Sequence, residues 1–324
     1  MLQITYKYID HAAYLKALAA AYKTDIKNNS ILLPPAIGSG YTKLFYLVNG
    51  LQLMVTESIL HIDMHILREQ SDTQCYTLRF DQISKIKTFT LEIDQDLLKE
   101  EDKFYSGAIL TNSRVDFGFS ANAGCESRSI NIHFTEEWFN KYSGVKTTDN
   151  FMRQYLKLKT AAFNFEVLNI EYREIMEEIF GLKESHPIYK TVLQNRVMLL
   201  LEMFLRNVYN KMNTEKDNIK ESELKRLMQV ESLLVDNFSI KPPPINDLMR
   251  IALMGETKLK INFKKAYGLK PYEYYQKSRM LKARQLLNNR QHSVSEIGRL
   301  VGFKNLSNFT IAYKKAFKVL PSTV

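Results

Sequence analysis

One segment of this chain occurs twice, at an offset of 50 residues. A short apolar helical pattern and a break precede each copy, at Gly255 and at Asn305. A helix, a tight turn and a second helix form a helix-turn-helix, so the repeat predicts two such units in tandem. Both copies contain an isoleucine, a Lys-Lys-Ala triplet and a proline: Ile261, Lys264, Lys265, Ala266 and Pro271, then Ile311, Lys314, Lys315, Ala316 and Pro321.

Basic residues are concentrated around this repeat. Residues 216–324 contain 21 Lys and Arg against 9 Asp and Glu, whereas residues 1–215 contain 24 against 26. A basic segment joined to a nearly neutral one is typical of a nucleic-acid-binding domain attached to a domain of another kind. A solvated basic surface is the alternative, and the coincidence of the charge with the repeat argues against it.

The rest of the composition limits the class of protein. The chain has 324 residues, enough for two or three domains, and no run of 18 apolar residues, so we expect no membrane-spanning helix. Cys75 and Cys125 form no closely spaced pair, which favours a reducing cytoplasm over a disulfide framework or a zinc site. No Ser/His/Asp order, phosphate-binding glycine loop or pair of acids indicates catalysis, so we expect no enzyme, metal or cofactor.

Residues 1–143 are predicted to be a β-rich domain, a barrel or a sandwich. Short apolar runs alternate with turn residues, and Asn49-Gly50 between two such runs is a strong hairpin signal. Strands are expected at 31–33, 43–48, 51–55, 75–80, 114–119 and 129–134, and short helices at Tyr14–Tyr22 and Gln95–Lys103.

Residues 144–215 are predicted to be a helical linker. Helices are expected at 151–158, 166–180 and 188–212, and the third carries an apolar stripe that includes Leu193, Val197, Leu200, Phe204 and Val208. The stripe has two interpretations, a seam that pairs two chains or packing on the core of its own chain. Residues 216–324 form the third expected domain.

The C-terminal region resembles the AraC/XylS family of bacterial transcription regulators. The resemblance covers about the last 105 residues, and many motif positions occur in order with the right gaps. The family has alanine at the position of Gly298, glycine at Lys318, and usually serine at Gly255. The matching positions include Asp247, Leu248, Leu259, Phe263, Gly268, Pro271, Arg279, Ala283, Leu286, Leu287, Ile297, Gly302, Phe303, Asn305, Ser307, Phe309, Tyr313, Phe317 and Pro321.

The resemblance and helical periodicity together define candidate DNA contacts. Phe263, Tyr267, Tyr313 and Phe317 have i, i+4 spacing, so we expect them in the subdomain cores. In the family, the positions of Thr257, Lys260 and Ile261 face base edges, and Asn308 on the second helix is suited to adenine. The full candidate set is Thr257, Lys258, Lys260, Ile261, Lys264, Leu306, Ser307, Asn308, Thr310, Ile311 and Lys314.

A transcription regulator that binds double-stranded promoter DNA is the function that the resemblance implies. The family commonly carries a companion domain, often a cupin-like barrel, that binds an effector or dimerises. We therefore expect a cytoplasmic activator controlled by a small molecule, with RNA polymerase and a second copy of the chain as partners. A regulator without a ligand, whose N-terminal domain only dimerises or docks on a protein, and an enzyme with an attached DNA-binding domain remain as alternatives.

Overall fold

The computed structural model describes residues 1–86, 89–93, 96–100, 104–143, 155, 166–213 and 219–324. They form two compact units. The β-rich unit comprises Met1–Val167 and Lys190–Lys216, and the helical unit comprises Leu168–Tyr189 and Asp217–Val324. The expected class, a β-rich N-terminal part followed by an all-helical C-terminal part, is confirmed.

Twelve strands and ten helices follow one another in the described part of the chain. They are β1 (Leu2–Lys7), α1 (His11–Tyr22), β2 (Ser30–Leu32), β3 (Gly38–Tyr46), β4 (Gln52–Leu60), β5 (Met64–Glu69), β6 (Cys75–Ser84), β7 (Phe89–Ile93), β8 (Asp96–Glu100), β9 (Phe104–Asn112), β10 (Phe117–Ala121), β11 (Glu126–Thr135), α2 (Glu136–Tyr142), β12 (Glu166–Val167), α3 (Ile170–Phe180), α4 (Tyr189–Asn213), α5 (Glu221–Val235), α6 (Ile245–Ala252), α7 (Glu256–Tyr267), α8 (Pro271–Asn289), α9 (Val294–Leu300) and α10 (Leu306–Phe317).

The strands of the β-rich unit form two sheets. The five-stranded sheet has the order β1-β5-β10-β7-β8, and the seven-stranded sheet has the order β12-β9-β6-β11-β4-β3-β2. The hairpin expected at Asn49-Gly50 joins β3 to β4, where Tyr46 pairs with Gln52. Gly50 has a φ of 88°, a left-handed conformation that glycine adopts without strain.

One expected helix of this unit is a strand. Within Gln95–Lys103, the described residues Asp96–Glu100 form β8, in which Leu97 pairs with Glu92 and Leu98 with Leu91 of β7. Leucine, lysine and glutamate favour a helix in isolation, but the hydrogen bonds offered by a neighbouring strand override that preference. The helix expected at 151–158 lies outside the described residues, apart from Tyr155.

The apolar stripe of α4 packs on the core of its own chain. Val197, Leu200 and Phe204 are fully buried, and the ring of Phe204 lies 6.5 Å from that of Phe80 in β6 and 5.8 Å from that of Tyr155. Of the two interpretations of this stripe, the structure has internal packing. A dimer seam along these residues is therefore wrong.

The helical unit contains α5 to α10 and also α3. Tyr172 and Met176 of α3 are fully buried, and Arg173 donates to Glu231 of α5 at 2.6 Å. Tyr274 of α8 donates to the same carboxylate oxygen at 2.7 Å. The expected helical linker at 144–215 thus contributes α3 to one unit and α4 to the other, and its boundaries stay a prediction. No helix in the described ranges has the length and hydropathy to span a bilayer.

Candidate nucleic-acid interface

Helix α7 is amphipathic because its apolar residues recur every three or four positions. Leu259 and Phe263 are fully buried and Tyr267 nearly so, with the Phe263 and Tyr267 rings 4.6 Å apart. Both rings also contact Tyr274 of α8. These aromatic side chains form the core of the first subdomain, as the spacing predicted. Gly255 caps the helix without a side-chain bond.

The opposite face of α7 carries the first group of candidate DNA contacts. Ile261 is 60% exposed and lies on the face opposite the buried aromatic rings. Lys260 is partly covered, with 41% of its side chain exposed. The structure therefore leaves the following residues on one accessible surface: Thr257, Lys258, Lys260, Ile261 and Lys264.

Helix α10 repeats this arrangement in the second subdomain. Asn305 caps it by accepting a hydrogen bond from the Ser307 amide at 2.7 Å, and Phe309 and Tyr313 are fully buried. Ile311 is 67% exposed, matching Ile261 of the first copy. The accessible candidates here are Leu306, Ser307, Asn308, Ile311 and Lys314, with Thr310 half-buried beside them.

A single straight element connects the two subdomains. Helix α8 has 19 residues and is about 28 Å long. Successive major grooves on one face of DNA lie about 34 Å apart, so a rod of this length suits two helices that enter neighbouring grooves. Arg279 of α8 is nearly buried, with its guanidinium 3.7 Å from the centre of the Phe303 ring. That position makes Arg279 a packing residue.

The helix-turn-helix domain family matches residues 248–324. The match covers both α7 and α10 and the apolar positions that bury them. The C-terminal region is an AraC-type helix-turn-helix domain.

Relatives of this AraC-type domain include regulators from several bacteria. A probable transcriptional regulator, LumQ of Photobacterium leiognathi, is 26% identical over 30% of this chain and 41% of its own. The regulator ExsA of Pseudomonas aeruginosa is 29% identical over 44% of this chain and 51% of its own. A solved AraC-type transcriptional regulator of Chromobacterium violaceum is 27% identical over 32% of this chain and 92% of its own, with a TM-score of 0.29. The chain thus spans about half, or less, of these curated relatives.

Two departures from the family pattern are accommodated in the AraC-type domain. Lys318 stands where the family has glycine, and it adopts the left-handed conformation, with φ 62°, that ends α10. The turn is therefore kept, at the strain that a side chain adds there. Gly298 stands where the family has alanine, and a Cβ atom there would lie 3.3 Å from the Phe309 ring.

Two carboxylates pair with Lys258 and Lys260, the candidate DNA-contact lysines near the start of α7, and the sequence analysis identified neither carboxylate. Glu223 of α5 accepts from Lys258 at 2.6 Å and from the amide of Asn262 at 3.1 Å, and Glu256 pairs with Lys260. The bond from Lys258 lowers the pKa of Glu223. The i, i+4 spacing of Glu256 and Lys260 is a signal that could have been used. Glu223 lies 35 residues from Lys258 and leaves no local signal.

Proposed function

We propose that this protein is a sequence-specific DNA-binding transcription regulator in which α7 and α10 read adjacent major grooves. The observation that carries the proposal is the repeated amphipathic helix. Each copy buries an aromatic face and leaves a polar, lysine-bearing face accessible. A recognition helix needs this division, because one side must pack on its domain while the other reaches base edges.

The exposed side chains divide by chemistry into base readers and phosphate contacts. Lys260 is suited to guanine O6 and N7, and Asn308 to the N6 and N7 pair of adenine. Thr257 and Ile261 on α7, and Ile311 on α10, offer methyl groups to thymine. Lys264 and Lys314 lie further along their helices and are assigned to phosphates, which fix register without reading sequence. Lys258, Leu306, Ser307 and Thr310 complete the proposed contact surface.

The β-rich unit is proposed to control the reader through a small-molecule effector. Side chains of its two sheets contact one another, as Arg68 of β5 and Thr111 of β9 do, and the mouth of such a β structure is a common place for a small-ligand pocket. We further propose RNA polymerase and a second copy of the chain as partners, activation as the output and the cytoplasm as the location. The alternative regulator has no ligand, and its β-rich unit only dimerises or docks on a protein.

Binding of the intact chain to DNA from upstream of its own coding sequence tests the core of this proposal. Because lysines displace condensed counterions from phosphates, the logarithm of the affinity should fall linearly and steeply with the logarithm of the salt concentration. The same sequence in scrambled order is the control, and it should bind at least about 1,000-fold more weakly at physiological salt. Equal affinity for both DNAs, or no binding at low salt, would contradict the proposal.

A further inference from the structure

The seven-stranded sheet of the β-rich unit has two buried faces of opposite chemistry. One face is apolar, with Leu78 and Phe80 of β6 beside Ile130 and Ile132 of β11, and Phe80 contacts α4. The other face turns toward the five-stranded sheet and is rich in polar side chains that are at most 5% exposed. They are Thr42, Thr77, Asp81, Thr111, Ser129, Asn131 and His133.

Contacts between the two sheets show that these polar residues lie in the interior of the unit. Thr77 donates to the hydroxyl of Tyr8 at 2.9 Å, and Tyr8 bonds to His133 at 2.9 Å. The guanidinium of Arg79 in β6 lies 5.1 Å from the centre of the Phe117 ring in β10. Burying a polar group costs free energy unless it finds a partner, so the atoms of this interior that lack one need an explanation.

Arg68 of β5 is the least compensated charge in this interior. It is 3% exposed and donates to three neutral oxygens, those of the Thr111 side chain at 3.1 Å and of the Asn112 and Val115 carbonyls at 2.6 and 3.2 Å. Its Nε is buried and has no hydrogen-bond partner within the described chain. Arg79, by contrast, pairs with Asp81 at 3.1 Å.

A second buried polar atom without a partner lies close by. Asn131 of β11 is directly opposite Arg79 of β6 in the sheet register, and its side-chain oxygen is buried without a hydrogen bond in the described residues. Arg79 and Arg68 both contact the ring of Phe117, at 5.1 and 5.4 Å, so Arg68 and the sheet neighbour of Asn131 meet at one ring. The Nε of Arg68 is a cationic donor and the side-chain oxygen of Asn131 is a neutral acceptor.

Aromatic side chains with accessible surface line the same interior. Tyr6 pairs with Arg68 in the β1–β5 register and stacks on Tyr14 at 4.7 Å, and Phe119 faces Arg79 at 5.3 Å. Tyr6 and Phe119 are only half-buried. Burial nevertheless raises the pKa of Tyr6 well above its ordinary value. The partial exposure of Tyr6 and Phe119 shows that solvent reaches these residues, and the ring or chain of a ligand would pack on the same aromatic surfaces.

We propose that the space between the two sheets binds a small organic anion. Its carboxylate pairs with Arg68, a hydroxyl or amino hydrogen is accepted by Asn131, and an apolar or aromatic body packs on Tyr6 and Phe119. The inference rests on the proposed function, since it names the class of effector that the β-rich unit takes. A guanidinium flanked by neutral oxygens is suited to a carboxylate because its charge is unbalanced and its Nε–H donor is unused.

Thermal unfolding of the intact protein with matched probes tests this inference. Trp138, the only tryptophan in the chain, lies in α2 of the β-rich unit, so its fluorescence reports on that unit. At constant ionic strength, mandelate should raise the midpoint by about 3 °C or more, because a ligand that binds only the folded state stabilises it. Mandelamide, which lacks the charge, should leave it unchanged. Phenylacetate, which lacks the hydroxyl, should give a smaller rise than mandelate.

Substitutions separate a binding site from a structural arginine. Arg68→Met should abolish the rise with mandelate, whereas Arg114→Met, which removes an exposed arginine from the neighbouring β9–β10 turn, should keep it. Asn131→Ala keeps the guanidinium of Arg68, so it should remove only the difference between mandelate and phenylacetate in the rise of the unfolding midpoint. This variant still tests the proposal if Arg68→Met does not fold.

Two outcomes would overturn the inference. One is an absence of stabilisation by mandelate and phenylacetate relative to sodium chloride at the same ionic strength. The other is an equal mandelate response in wild type and Arg68→Met. Neither measurement involves DNA. If the protein binds its promoter but is not stabilised by these anions, the proposed anion site is wrong and the proposed DNA binding still stands.

Discussion

At the scale of single residues, the two reading helices differ in how their polar side chains are held. Lys258 and Lys260 of α7 are each engaged by a carboxylate, Glu223 and Glu256, whereas the candidates on α10 are mostly uncharged. A lysine must break its ion pair before it contacts DNA. The free energy of breaking that pair therefore reduces the lysine's net contribution to DNA binding. Asn308 is exposed and has no such competitor among the contacts of the described residues.

Substitution of the two proposed base-reading residues should lower the preference for promoter DNA over scrambled DNA, and should change the affinity for scrambled DNA less. Lys260→Ala and Asn308→Ala should each reduce the preference for the promoter over scrambled DNA by about 1–3 kcal/mol, the worth of a bidentate base contact. Lys314→Ala should weaken binding to both DNAs alike. It should also reduce the slope of the logarithm of affinity against the logarithm of salt concentration by about one. Competition binding measures the ratio, with Lys16→Ala in α1 as a charge-matched control. An unchanged ratio for both base-reader variants would reject their assignment.

A buried histidine should make the β-rich unit sensitive to acid. Burial lowers the pKa of His133 to about 4, whereas the unfolded chain binds that proton near pH 6.5. Between these values the unfolded state holds more protons, so the free energy of unfolding decreases as the pH falls. His11 acts in the same direction, because burial and then the neighbouring His133 lower its pKa.

Urea unfolding followed by Trp138 fluorescence measures this dependence. From pH 7 to pH 5 the His133 contribution should reduce the free energy of unfolding by about 2 kcal/mol. His133→Gln should remove that part of the change, and His61→Gln, at an exposed position, should keep it. Identical pH profiles for wild type and His133→Gln would show that His133 is not the group that titrates.

At the scale of secondary-structure elements, periodicity predicted the helices better than the strands. Helix α4 was expected at 188–212 and runs from Tyr189 to Asn213, because it buries one apolar stripe that a 3.6-residue period reveals. The expected strands did not include β1, β5, β7, β8, β9 or β12, and β12 lies where the helix at 166–180 was expected to begin. Partners distant in sequence stabilise such strands, and β8 in particular is made of residues that favour helices.

The apolar stripe of α4 shows what periodicity leaves open. It identified which residues are buried, but not whether the partner is the same chain or a second copy. With Leu200 fully buried, Leu200→Glu should place an unpaired charge in the core and destabilise the β-rich unit by several kcal/mol. Asn195→Glu, on the exposed side of the same helix, is the control. Urea unfolding followed by Trp138 fluorescence reads the result, and a stably folded Leu200→Glu protein would contradict internal packing.

At the scale of the whole molecule, the sequence predicted a β-rich part and a helical part but not how the connecting region is shared. Helix α3 belongs to the helical unit through the buried contact of Arg173 with Glu231 and Tyr274. Charges that pair across 58 residues leave no local pattern in a single sequence. A fragment that starts at residue 216 would lack α3 and leave the Glu231 carboxylate buried without its arginine, so the intact chain is the right material for DNA studies.

The central claim is that both helix-turn-helix copies read one DNA site together. A hydroxyl-radical footprint of the intact protein on its promoter measures this directly. The account predicts two protected stretches on one face of the duplex, with centres about 10 base pairs apart. Lys260→Ala should weaken protection of one stretch and Asn308→Ala that of the other. A single protected stretch, or one that both substitutions affect equally, would contradict the claim.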